Sequence, residues 1–163
     1  MEKINKAHNV YWCKDPIPTA LKNDCYIMEA DIIYTKDDLY LSHSYRPFKK
    51  LMYGTLEDVF LKPLFELKST KTLYLYIEFK SGNLKIINKL YSLLKKYEKE
   101  DMVFLFSAKD KNWFQKVFQK RERALKLFMK KASKDLPVLY LNSLNLFFEV
   151  KNVDLYKFSL NHF

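Results

Sequence analysis

The chain has 163 residues, 29 Lys+Arg against 19 Asp+Glu, and a composition that is 48% hydrophobic and 17% aromatic, enough to bury the core of one ordinary domain. This excludes a disordered chain, and no window approaches the ~18 consecutive apolar residues of a membrane span. The net charge of +10 favours an anionic partner such as nucleic acid, an acidic membrane surface or a phosphorylated small molecule.

One domain over residues 1–163 is the expectation. The run Met1-Glu2-Lys3-Ile4-Asn5-Lys6 has no apolar signal core, so a cytoplasmic protein is expected. Cys13 and Cys25 match no zinc or redox spacing and read as free thiols. With Gly54 and Gly82 as the only glycines, a Gly-rich phosphate loop is excluded.

In chain order, His8 precedes the first helix-like stretch, and Tyr26 to Ile33 reads as the first clear strand. Leu39 to His43 forms a second strand beyond the turn-forming Lys36-Asp37-Asp38, which makes residues 26–43 a hairpin or strand excursion. From Thr72 to Phe79 the alternation is clear: Leu73, Leu75, Ile77 and Phe79 point one way, Tyr74, Tyr76, Glu78 and Lys80 the other. Leu84, Ile87, Tyr91, Leu94 and Tyr97 lie at helical spacing, with lysines opposite.

Met102 to Phe106 is a near-continuous apolar strand. A basic amphipathic helix follows from Asn112 to Lys131, with Phe114, Val117, Phe118, Leu125 and Phe128 on one face. Pro137 begins another strand. Beyond Leu141 the segments Leu146 to Val150 and Leu155 to Phe158 fit either a short strand or a helical turn. Alternating strands and helices define an α/β domain.

Glu29 and Asp31 are two apart in a strand and so project from one face. Two acids on an otherwise apolar strand are costly unless neutralised, and a hard divalent cation that prefers oxygen ligands would neutralise them; solvated acids at a strand end are the plainer reading. Glu78, on the next long strand, could bring a third carboxylate to the same ion, and Lys80 shares its face. His8 and His43 flank these acids in the sequence and could exchange protons near neutral pH, whereas His162 reads as structural.

The order of these pieces is Ala7-His8-Asn9-Val10-Tyr11-Trp12, Met28-Glu29-Ala30-Asp31-Ile32, Leu41-Ser42-His43-Ser44 and Ile77-Glu78-Phe79-Lys80. It resembles the PLC-like phosphodiesterase superfamily, which includes glycerophosphodiester phosphodiesterases and sphingomyelinase D-type phospholipases, in the branch whose first motif begins H-N. The segment from Thr55 to Leu64 looks like the helix that follows the second histidine in that branch. The resemblance implies a TIM-type barrel, shortened or incomplete, because it runs from about Ala7 to Lys80 in a chain well below the ~250 residues of a typical barrel.

The resemblance further implies that Glu29, Asp31 and Glu78 hold Mg²⁺ or Ca²⁺, that His8 and His43 are the acid–base pair, and that Asn9 and Lys80 contact the phosphate. Ser44 stands where the family often has an aspartate. The implied activity is a metal-dependent phosphodiesterase acting on a glycerophosphodiester or phospholipid head group. The alternative is an inactive, shortened family member that binds an anionic lipid or nucleic-acid partner through its lysine-rich helices. An unrelated nucleic-acid-binding protein is disfavoured, since no docking motif is present. Open strand edges in an incomplete barrel would be covered by pairing, as in a homodimer.

Overall fold

The computed structural model describes residues 5–44, 52–106 and 115–140, with backbone alone at 115–118 and 140. The strands are β1 (Asn5–Ala7), β2 (Cys25–Thr35), β3 (Asp38–Leu41), β4 (Leu73–Phe79), β5 (Met102–Phe106) and β6 (Val138–Tyr140). The helices are α1 (Pro16–Lys22), α2 (Lys62–Glu66), α3 (Lys85–Lys96) and α4 (Gln115–Ala132). The result is a mixed α/β fold on a mostly parallel sheet.

The sheet order is β1-β2-β4-β5-β6, with all these neighbours parallel, and β3 returns antiparallel to β2. The length of β2 makes both arrangements possible. Its first residues pair with β1, Asn5 to Ala7 lying against Cys25 to Met28, and its last pair with β3, Ile32 to Thr35 lying against Leu41 to Asp38. Lys36 (φ 50) and Asp37 (φ 57) form a two-residue turn in the left-handed region, whose twist suits a tight hairpin. The expected hairpin is therefore present, but its second strand stops at Leu41, and His43 lies beyond it.

Between β2 and β4 the register runs from Ile27↔Tyr74 to Ile32↔Phe79, which sets Asp31 directly beside Glu78. Alternation then separates the two faces of these strands. One face contributes Met28, Ala30, Ile32, Leu75 and Ile77 to the main core, which it shares with helices α1, α3 and α4. On the other face Ile27, Tyr76 and Leu105 form a separate small apolar cluster.

Helix α3 buries Ile86, Leu90, Leu93 and Leu94. Leu84, expected on the buried stripe, is 46% exposed because it precedes the first helical turn. The true stripe begins two residues later, with Ile87 and Tyr91 at its margin. Helix α4 buries Ala124, Leu125, Phe128 and Ala132. Phe128 packs on Phe106, with ring centroids 4.9 Å apart, and on Phe79 at 6.0 Å.

The segment after the second histidine is helical. Asp58 N–H bonds to Thr55 Oγ1 (3.1 Å) at its start, and a wide turn over Glu57–Leu61 precedes α2. Pro63 has no N–H to return to the preceding turn, and the wide turn accommodates it. Phe114, His162 and the segments 146–150 and 155–158 lie outside the described residues, as do the side chains of Val117 and Phe118.

Candidate metal centre and acid–base site

The face of β2 and β4 that turns away from the helices is charged where the parallel pairing ends. Glu29 and Asp31 project from β2 and Glu78 from β4, and a ligand oxygen from each lies within 4.8 Å of the others. This convergence is a consequence of alternation on β2 and the Asp31↔Glu78 register. Glu29 is 2% exposed and Asp31 0%, so neither acid is of the solvated kind.

Basic side chains surround them. Lys6 Nζ lies 2.7 Å from Glu29 Oε2 and His8 Nε2 3.5 Å from the same oxygen. Lys80 Nζ sits 2.7 Å from Glu78 Oε1 and 3.3 Å from Asp31 Oδ1. The Tyr11 hydroxyl donates to Asp31 Oδ2 at 2.7 Å. Lys6 also lies over the Tyr76 ring, 4.2 Å from its centroid.

These contacts set the protonation states. Burial, then the charges of Glu29 and Glu78, push the Asp31 carboxyl up to about 7 against the pull of Lys80 and the Tyr11 hydrogen bond. Burial would raise Glu29 too, but Lys6, His8 and Lys80 outweigh it and hold that carboxyl below its usual range. Lys80 is raised, because the attraction of Asp31, Glu78 and Glu29 exceeds the burial that opposes it. Burial and the Asp31 charge make the Tyr11 hydroxyl a still weaker acid than usual, which keeps it a donor.

The residues fit a hard divalent cation. Two carboxylate oxygens, Glu29 Oε2 and Asp31 Oδ1, are sealed from water; Lys6 and His8 lie beside the first, and Asp31 Oδ1 has only Lys80 at 3.3 Å among the described ion pairs, with no hydrogen bond among the described residues. An all-oxygen donor set of three acids is the chemistry Mg²⁺ and Ca²⁺ prefer.

His8 borders the acids, and His43 lies near enough to Glu78 and Glu29 for their charges to act on it. His8 follows β1 directly, its ring facing Glu29 as given above. His43 stands edge-on to Trp12, ring centroids 6.0 Å apart, and Trp12 stacks on Tyr53 at 6.1 Å. Burial and the Lys80 charge lower the basicity of His43, against the pull of Glu78 and Glu29. Its backbone is fixed from both sides: Ser42 N–H bonds to Asp31 O (2.9 Å) and Ser44 N–H to Ser42 Oγ (3.2 Å). Asn9 is buried and left-handed (φ 52), a conformation asparagine tolerates better than most residues. It turns the chain out of β1 with its Oδ1 3.2 Å from the Tyr11 hydroxyl. Cys13 and Cys25 are free thiols.

Lys6 and Tyr11 join the site without having been expected there. A three-residue strand is too short to show the alternation that puts Lys6 and His8 on one side. Nothing local marks Tyr11, whose partner is twenty positions away.

Residues 2–71 match the family model of the AIM6-like phosphodiesterase domain. That match takes in His8, Asn9, Glu29, Asp31 and His43 and ends just before β4, so Glu78 and Lys80 enter the site through strand pairing alone. No curated protein and no solved structure matches the chain.

Proposed function

We propose that this protein is a metal-dependent phosphodiesterase acting on a glycerophosphodiester or phospholipid head group. The observation that carries the reading is the convergence of Glu29, Asp31 and Glu78 within 4.8 Å, on the face that also carries the small apolar cluster of Ile27, Tyr76 and Leu105. The phosphodiesterase match over residues 2–71 supports the reaction class.

Glu29, Asp31 and Glu78 would hold Mg²⁺ or Ca²⁺, which when bound supplies positive charge to the phosphate oxygens. His43, neutral near pH 7 because burial and Lys80 disfavour its charged form, takes the proton from the attacking water or substrate hydroxyl. His8 gives a proton to the leaving oxygen, with Glu29 beside Nε2 as counter-ion to the charged ring. Tyr11 and Lys80 orient the acids, and Lys80 and Asn9 lie on the phosphate side. The parallel strands β1, β2, β4, β5 and β6 follow one another in space as in the chain, the order of a TIM-type barrel wall with its catalytic groups at the strand ends.

A panel of glycerophosphodiesters and lysophospholipids, assayed with Mg²⁺, with Ca²⁺ and with a chelator, tests this reading. Turnover that stops with the chelator and in His8→Ala and His43→Ala is expected. Turnover unchanged in both variants would remove the mechanism.

A further inference from the structure

Helix α4 reaches the acid cluster through an unusually close packing contact. Gly82 lies two residues beyond Lys80, and a Cβ there would sit 2.3 Å from Lys120 Cβ and 2.7 Å from the Lys120 carbonyl carbon. No side chain larger than hydrogen allows that approach, so Gly82 lets the α4 backbone rest against the loop after β4. The next residue on the helix is Arg121.

Three observations set Arg121 apart from the other cations of α4. It is partly buried, whereas Lys120, Arg123 and Lys126 are exposed. Its Nε is sealed from water and has no hydrogen-bond partner among the described residues. The guanidinium also lies near enough to Glu78 and Asp31 for both carboxylates to act on it, while burial lowers its basicity more than they raise it. Yet the ion pairs of Glu78 and Asp31 are made with Lys80, and among the described residues Arg121 makes none with either acid.

A buried donor without an acceptor is costly, and it is tolerated where a ligand supplies the acceptor. The charges indicate which ligand. Glu29 is paired with Lys6, Asp31 and Glu78 are paired with Lys80, and the latter two also act on Arg121, so seating a divalent cation among these acids leaves the site with surplus positive charge, which calls for an anionic acceptor. A guanidinium offers a planar fork of donors suited to two oxygens of one phosphate.

We infer that Arg121, delivered to the acid cluster by the contact of α4 with Gly82, binds a non-bridging oxygen of the substrate's phosphodiester. The inference deepens the proposed function and rests on its metal centre. It makes a residue outside the matched segment 2–71 part of the substrate site.

The test uses the full chain with saturating Mg²⁺ and dimethyl phosphate, a diester anion that can be titrated without turnover. Binding is followed by NMR at the Arg121 Nε–H, assigned by its loss in Arg121→Lys. In the wild type the signal should move on titration. Arg121→Lys, which keeps the charge but not the fork, and Arg121→Ala should weaken diester binding by about tenfold, the scale of one charge-assisted hydrogen bond, with Mg²⁺ affinity unchanged. Gly82→Ala, which pushes α4 away, should weaken it likewise.

Diester binding equal to wild type in Arg121→Lys would overturn the inference. So would a parallel loss of Mg²⁺ affinity, which would make Arg121 a counter-charge for the acids, or failure of the wild type to bind the diester. Turnover of the phosphodiester panel is scored separately. Diester binding through Arg121 without turnover of any panel member would leave this inference standing and remove the hydrolase reading, whereas turnover with an unchanged KM in Arg121→Lys would do the reverse.

Discussion

The two faces of β2 and β4 are made by the same strands and solve opposite problems. On the helix side, Ala30, Ile32, Leu75 and Ile77 are buried against other apolar groups, which stabilises the fold at roughly 25 cal/mol for each Å² removed from water. On the opposite side, one residue along in each case, Glu29, Asp31 and Glu78 gather within 4.8 Å. Burying such charges costs several kcal/mol per ion before pairing, and lysines offset only part of that for Asp31, whose carboxyl still sits at about 7. The helix face accounts for why the protein folds; the acidic face is arranged against stability, and the proposed function rests on that arrangement.

The two faces should therefore respond to substitution in different currencies. On the acidic side, His8→Ala and His43→Ala should each lower kcat by about 10²–10⁴-fold, with thermal melting close to wild type. A fall in Tm as large as that of a core variant would mean the histidines are structural. On the helix side, Phe128→Ala, which removes a ring packed on Phe79 and Phe106, should cost about 3–5 kcal/mol in urea unfolding. A loss near zero would show that α4 does not close the core.

How well each face can be read from sequence follows from the range of the interactions that build it. The hairpin after β2 was legible because the turn signal is local to Lys36 and Asp37. Helix α3 was legible in kind but not in phase, since Leu84 continues the apolar spacing although no turn of helix precedes it. Glu29 and Asp31 could be placed on one face from their spacing. That Glu78 stands beside Asp31 depends on the β2–β4 register, which joins two residues 47 positions apart. Tyr11 was beyond reach for the same reason, as Asp31 lies on another element, and the position of Arg121 depends on the contact of α4 with Gly82. The match over residues 2–71 carries the motif half of the site, and the pairing of β4 supplies the remainder.

The raised Asp31 carboxyl gives a third and smaller contrast. A cation binds its deprotonated form, so affinity for Mg²⁺ should climb by up to about tenfold per pH unit and level off above about 7. For the metal-free fold the sign reverses. A carboxyl held more tightly protonated when folded adds stability that is complete below its unfolded value of about 4 and is lost as pH rises through about 7. The lowered His43 acts in the opposite sense over the same window, so urea titrations without metal at pH 5 and pH 8 are compared in wild type and Asp31→Asn: the wild type should lose stability relative to the variant as pH rises, and a relative gain would contradict the assignment.

The smallest effect follows from the same imbalance. At pH 8 and without metal, Asp31→Asn removes a charge that Glu29 and Glu78 repel and should be about 1 kcal/mol more stable than wild type. A destabilised Asp31→Asn would mean that Lys80 and Tyr11 already balance the carboxylate fully.

The most direct measurement is a calorimetric titration of Mg²⁺ into the full chain at pH 8, repeated in Glu29→Gln, Asp31→Asn and Glu78→Gln. One ion per chain, with binding lost or weakened by at least about tenfold in each variant, is the expected result. Wild-type protein that takes up no ion, or a Glu78→Gln variant that binds as tightly as wild type, would contradict a metal centre shared between β2 and β4.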